Sequence, residues 1–357
     1  MLPGCFLHEF YTPVLGERIE NAALLERYLA LIQALPAPEA ERAALSDFVR
    51  FQLVGERSRW MIPPDWLELT DFAARATAFE AGVERAVAAL ADPIAAEGVL
   101  FDAVVTTTST GGLMPGISYR LAHRLGSQVR PHAVLLDLAH AGCTGSLKLL
   151  QVARSLAAHG GQVLAAAVEL PSTLAEGDTT ARDVWQGNCT FGDGCVALRV
   201  SRRREDSAAP LELEHLGGRQ FSGPGLDLIS WKPRRYYTFS LRDEKSFDAA
   251  VRQFVVETLA EREGWWKETP RWVLHPAGIA LLVRLSRKLG IPAGALDSTV
   301  RHYREFSNQS SVSLLQILAV EGRAAGPEEA INLLSMGAGF EVYYGRVRKH
   351  CGSGAVA

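Results

Sequence analysis

Apolar residues recur at three- and four-residue spacing through Glu17–Leu35 and again through Glu39–Leu53, with the breaker Pro36-Ala37-Pro38 between them, so the pattern predicts two helices. Thr70–Leu90 carries the same spacing and predicts a third. The texture then changes to short unbroken apolar runs. Phe101–Thr106, Ala133–Leu138, Gln162–Glu169 and Cys195–Val200 each predict a buried strand. Between them lie the polar turn Ser109-Thr110-Gly111-Gly112 with a helix through Arg124, and the turn Ala141-Gly142 with a helix over Cys143–Ala158. The alternation resumes later in the chain. Tyr236–Leu241 and Trp272–Leu274 read as strands, while Ser246–Gly264, Gly278–Leu289 and Ser310–Glu321 read as helices. Ala330–Met336 and Glu341–Val347 read as strands flanking Gly337-Ala338-Gly339. Continuous apolar strands alternating with helices predict an α/β fold around a buried parallel or mixed sheet. Residues 201–225, charged at Ser201–Ser207 and rich in Gly, Ser and Pro over Gly217–Gly225, are either a domain boundary or a solvated loop within one domain.

Composition narrows the function. The chain has 357 residues, 48% apolar and 22% charged, enough apolar material for a sizeable core and too little charge for large-scale disorder. Its 37 basic and 40 acidic residues leave a net charge of −3, which announces neither a nucleic-acid nor an anionic-membrane surface. Apolar runs such as Val163–Val168 are far below the roughly 20 residues of a spanning helix. Met1–Glu9 lacks a basic segment followed by a long apolar one, so no signal peptide is expected. Five cysteines without close pairing disfavour a disulfide framework or a structural zinc site and fit a reducing cytoplasm.

Three spots place a reactive side chain where a predicted strand or helix ends. Cys143 follows Ala141-Gly142 and opens a predicted helix, whose N-terminus would favour a nucleophilic thiolate; the alternative is a buried structural cysteine. His275 precedes Pro276, which pushes it toward an extended conformation at the end of a strand; it is either a satisfied core histidine or a site residue. Asn308 precedes a predicted helix, where it is a good N-cap as well as a candidate donor.

Together these segments resemble the thiolase superfamily, and more closely its type III polyketide synthase branch. The resemblance rests on Gly142-Cys143-Thr144-Gly145, Trp272-Val273-Leu274-His275-Pro276-Ala277-Gly278, Ser307-Asn308-Gln309-Ser310-Ser311, Thr107–Gly116 and Phe191-Gly192-Asp193-Gly194, and spans roughly residues 100–347. It implies a thiolase-like αβαβα five-layered fold of two similar halves, residues 1–215 carrying the nucleophilic Cys and 216–357 carrying His and Asn. It implies Claisen-type condensation through an acyl group on Cys143, with His275 and Asn308 donating hydrogen bonds to an enolate oxygen and His275 ion-paired with the Cys143 thiolate. No metal or redox cofactor is implied, and substrates would arrive as pantetheine thioesters. A homodimer is implied, with Met114 reaching into the partner's cavity.

Three departures bear on substrate. The Ser335-Met336-Gly337-Ala338-Gly339 loop keeps the family's glycines but not its Phe and Pro, which implies a reshaped wall. One family gate matches Phe239, whereas Leu170–Leu174, where the other falls, has no Phe and offers Leu174. Of three basic residues that hold coenzyme A in plant-type members, only Arg50 has a counterpart within Ser46–Gly55. Fewer phosphate clamps leave room for delivery by an acyl carrier protein, with Lys232, Arg234, Arg235 and Arg202–Arg204 as candidate docking cations. These departures point to a bacterial ketosynthase joining two β-keto chains into an α-pyrone antibiotic. The alternatives are an ordinary type III synthase extending an acyl-CoA starter with malonyl-CoA, an initiator resembling ketoacyl-carrier-protein synthase III, and a silent partner subunit; the retained Cys143, His275 and Asn308 argue against the last.

Overall fold

The computed structural model describes residues 4–63, 65–204, 209–221, 226, 228–233, 237–241, 244–260, 266, 269–292 and 294–350. The strands are β1 (Phe6–Tyr11), β2 (Glu17–Glu20), β3 (Ser58–Met61), β4 (Phe101–Thr108), β5 (Val129–Ala139), β6 (Val163–Glu169), β7 (Gly194–Ser201), β8 (Leu211–Gln220), β9 (Ile229–Pro233), β10 (Tyr237–Leu241), β11 (Arg271–Leu274), β12 (Ala330–Gly337) and β13 (Glu341–Lys349). The helices are α1 (Asn21–Ala34), α2 (Glu39–Gln52), α3 (Phe72–Ala96), α4 (Ile117–Leu125), α5 (Gly145–Ala157), α6 (Arg182–Thr190), α7 (Glu244–Ala260), α8 (Ile279–Leu289), α9 (Asp297–Phe306) and α10 (Ser311–Ala324).

Nine strands hydrogen-bond in the order β11-β12-β13-β8-β1-β7-β6-β4-β5. Side chains alternate across each strand, and β6, β7 and β12 are buried on both faces, so helices must cover both sides of the sheet there. On β4 and β6, Ala103, Val105, Val163, Ala165 and Ala167 share one cluster with Ile331 and Leu333 of β12. That cluster also contains Leu147, Leu149 and Leu150 of α5 and Val312, Leu314 and Leu315 of α10, so these two helices lie between the halves of the sheet. The alternate residues Val104, Leu164, Ala166 and Val168 pack on α3 and α4. Leu334 and Met336 pack on α7 and α8. Helices, sheet, central helices, sheet and helices make the five-layered αβαβα arrangement. Each buried leucine of α5 contributes roughly 1.5–3 kcal/mol.

Three expectations change. Glu17–Glu20 pairs with β3 as a strand, so the first helix starts at Asn21, whose N–H donates to Arg57 O. Residues 211–220 are a strand of the main sheet bonded to β1 and β13, and β8 runs through positions 215 and 216. α5 begins at Gly145, leaving Cys143 in a separate 3-10 turn, Gly142–Thr144. Among the described residues, no helix is long and apolar enough to cross a membrane.

Candidate active site

The chain reverses sharply between β5 and α5. His140 and Gly142 have φ of 56° and 58°, and Gly142 N–H donates to Ser109 Oγ (2.7 Å). The next residue is Cys143, whose carbonyl accepts from Ser335 Oγ at 2.8 Å. Thr144 Oγ1 lies within hydrogen-bond distance of Ala141 O (2.9 Å) and of the Glu341 carboxylate, which also pairs with Lys148. Gly337 approaches this turn so closely that a Cβ there would stand 3.1 Å from Thr144 N. The loop after β12 is thus locked against the Cys143 turn.

His275 continues β11, its N–H donating to Leu334 O (2.8 Å). The ring is fully buried, and among the described residues neither Nδ1 nor Nε2 has a hydrogen-bond partner. Burial pushes it down to about 3, so the imidazole is neutral. A buried imidazole that lines a cavity can donate to, or accept from, a group that enters it.

Burial also pushes the Cys143 thiol up to about 12; a hydrogen bond with Ser310 opposes this and the nearby Glu169 carboxylate adds to it. Burial at this turn therefore works against the lowered thiol that the sequence implies. Glu169 accepts from Ser109 N–H (2.9 Å) and Ser311 Oγ (2.6 Å), and burial raises it to about 7.

Asn308 is held on both sides. Its N–H donates to Thr190 O (3.1 Å), its carbonyl accepts from Gly192 N–H (3.0 Å), and its Oδ1 accepts from Ser310 N–H (2.8 Å). Fixing Oδ1 leaves Nδ2 as the end of the amide that can donate to a ligand. Its neighbours Ser307 and Ser310 have φ of 60° and 50°, left-handed geometry that costs non-glycine residues about 1–3 kcal/mol each.

Cys143, His275 and Asn308 converge on one cavity of about 420 Å³. Phe239, Leu174 and Ala338 also line it. Gly337 and Gly339 do not; Gly337 instead packs behind Cys143. Met114 is 96% exposed and does not line the cavity of its own chain. Sequence reasoning missed Met61, Trp66, Ser109, His140, Trp231 and Met336, which come from segments far apart in the chain.

A second cavity of about 620 Å³ shares Gln186, Thr190, Leu241 and Ala277 with the first, so the two meet there. Its basic lining residues are Arg57, Arg284 and Arg304. Arg50 is exposed on α2 and lines neither cavity, because Ser46, Val49 and Leu53 take the buried side of that segment. Arg202 donates to Ala158 O, at the end of α5 away from Cys143, so the 202–204 run does not flank the cavity. The Lys232 side chain, Arg234 and Arg235 lie outside the described residues. No group of three or more His, Cys, Asp or Glu that could hold a metal ion occurs among the described residues.

No protein-family model matches the chain. Among solved structures, the fold is similar to that of the C-terminal type III polyketide synthase domain of Steely1, a type I/III polyketide synthase hybrid from Dictyostelium. The TM-score is 0.81 over 97% of this chain and 99% of that chain, at 18% sequence identity. The thiolase-like fold is thus the one this chain adopts.

Proposed function

We propose that the protein is a ketosynthase that joins acyl thioesters by Claisen-type condensation through an acyl group on Cys143. The observation that carries this reading is the meeting of Cys143, His275 and Asn308 in one mostly apolar cavity, with the Asn308 amide oxygen tied back to Ser310. In the first half-reaction the Cys143 sulfur attacks a thioester carbonyl, its proton passes to the neutral His275 ring, and the departing thiol takes that proton. In the second, a thioester enolate forms and its oxygen accepts from Asn308 Nδ2–H and the His275 N–H. The enolate carbon attacks the acyl carbonyl, a carbon–carbon bond forms, and the carbon–sulfur bond to Cys143 breaks. The scheme draws on pantetheine-borne thioesters and no other cofactor.

Within this reading the products are α-pyrones built from two β-ketoacyl chains, at least one delivered on an acyl carrier protein. Arg57, Arg284 and Arg304 at the second cavity replace Arg50 as the groups that would meet the phosphate of the pantetheine arm. The working unit is a homodimer: β5 is the edge strand of the sheet, with Val134 and Tyr119 exposed near it and Met114 extended from the adjoining turn. Light scattering of the protein and of Met114→Glu tests that part; a wild-type monomer at micromolar concentration removes it. For the reaction, the protein is incubated with 3-oxoacyl thioesters on coenzyme A and on a carrier protein, and intact mass and products are read by mass spectrometry. The expected result is an acyl adduct on Cys143 followed by a pyrone. Absence of any adduct rejects the ketosynthase reading, and turnover only with malonyl-CoA replaces chain fusion by ordinary extension.

A further inference from the structure

His140 is the last residue before the Ala141-Gly142 turn, and its N–H donates to Thr108 O (3.1 Å), so the β4–β5 ladder ends at it. Its φ of 56° turns the chain out of the strand, a conformation His tolerates better than most side chains. The ring is exposed and stands edge-on to the Trp231 indole, with centroids 6.1 Å apart and planes at 81°. Both residues line the cavity that holds Cys143. Among the described residues, that lining contains no Asp, Glu, Lys or Arg; its ionisable side chains are His140, Cys143, Tyr237 and His275. His275 is sealed from solvent, and in the condensation its N–H is directed at the enolate oxygen, so it is not placed to take the α-proton. His140 is exposed, so the charge it gains on accepting a proton can be solvated, and imidazole is the side chain best suited to proton transfer near neutral pH.

We infer that His140 is the base that takes the α-proton of the second substrate, so that the enolate forms by deprotonation of a 3-oxoacyl thioester rather than by loss of carbon dioxide. A 3-oxoacyl thioester fits because its α-carbon lies between two carbonyls and is acidic, and because the described cavity lining offers no cation for a malonyl carboxylate. In the step, the C–H bond breaks, the proton goes to a ring nitrogen of His140, and the electron pair moves onto the thioester oxygen at Asn308 Nδ2–H. The enolate carbon then bonds to the acyl carbonyl carbon. The Cys143 sulfur leaves as thiolate and recovers the proton from the His140 imidazolium. This inference rests on the ketosynthase reading above.

The test separates the two. Cys143→Ala protein, which cannot condense, is incubated in deuterium oxide with 3-oxohexanoyl pantetheine, and α-deuterium incorporation above the buffer rate is followed by mass spectrometry. Adding His140→Asn should lower the enzyme-dependent rate by roughly 10²-fold. His140→Gly should lower it similarly and regain it with free imidazole, which a merely structural residue would not do; both replacements tolerate the left-handed backbone. Unchanged exchange in His140→Asn, or a loss that imidazole does not restore in His140→Gly, overturns the inference. Failure of Cys143 acylation in the wild-type chain overturns the ketosynthase reading and is read independently.

Discussion

The charge state of Cys143 at rest can be measured directly. Cys143 is the described cysteine that is not fully buried; Cys5, Cys189 and Cys195 are buried, and burial raises each of their thiols. With its thiol at about 12 instead of 9.0, Cys143 has roughly a thousandfold less thiolate at pH 8 than an ordinary cysteine. A more basic thiolate is also more nucleophilic, and a Brønsted slope of about 0.4–0.5 over that range returns a factor of about 15–30. The net expectation is iodoacetamide alkylation about thirty- to sixtyfold slower than a free thiol at pH 8. Its logarithm should climb with unit slope to pH 10 and show no plateau. Ser310→Ala removes a hydrogen bond that lowers the thiol and should slow alkylation further, while Glu169→Gln removes a negative neighbour and should speed it. Rates are read by mass spectrometry of the Cys143 peptide. A plateau beginning near pH 6, at or above the free-thiol rate, would mean a resting thiolate–imidazolium pair and would refute the reasoning.

Asn308→Ala should still acylate Cys143 but lose condensation by roughly 10²–10³, the cost of one oxyanion donor; an unchanged ratio of condensation to acylation removes its assigned role. Ser307→Gly should raise resistance to urea by about 1 kcal/mol, because glycine meets no penalty at φ 60°, and a loss of stability would show that Ser307 Oγ on Ser58 O outweighs the strain. Glu169 and Asp193 are raised by burial to about 7 and about 6, so each binds its proton more tightly in the native state. Their contribution is complete below the unfolded values near 4 and is lost as pH climbs through 6 and 7, on the order of 3 kcal/mol for each. Urea midpoints should therefore fall between pH 5 and 8 and fall less in Glu169→Gln; an equal fall in the variant contradicts this.

What could be read from the chain depended on whether the signal was local. α2 was legible to within a residue because its apolar spacing and flanking prolines are its own. β8 was not: its sequence Leu211–Gln220 mixes charged residues with Gly217 and Gly218, which read as loop. Those glycines exist for a distant reason, since a Cβ on either would stand 2.7 Å from the Tyr344 or Tyr343 side chain across the sheet. The site divides in the same way. Cys143, His275 and Asn308 were legible because each sits at a turn with its own glycine, proline or serine signal. Arg57, Arg284 and Arg304 were not, because nothing local marks an arginine as a neighbour of another more than 200 positions away; the packing of α8 and α9 near the end of α2 brings them together. The thiol divides in the same way. A turn before a helix is visible in sequence and argues for a lowered thiol, whereas the burial that pushes it up belongs to the assembled layers. The turn signals therefore picked out residues that meet in one cavity, while the burial that pushes the Cys143 thiol up and the His275 imidazole down belongs to the assembled layers.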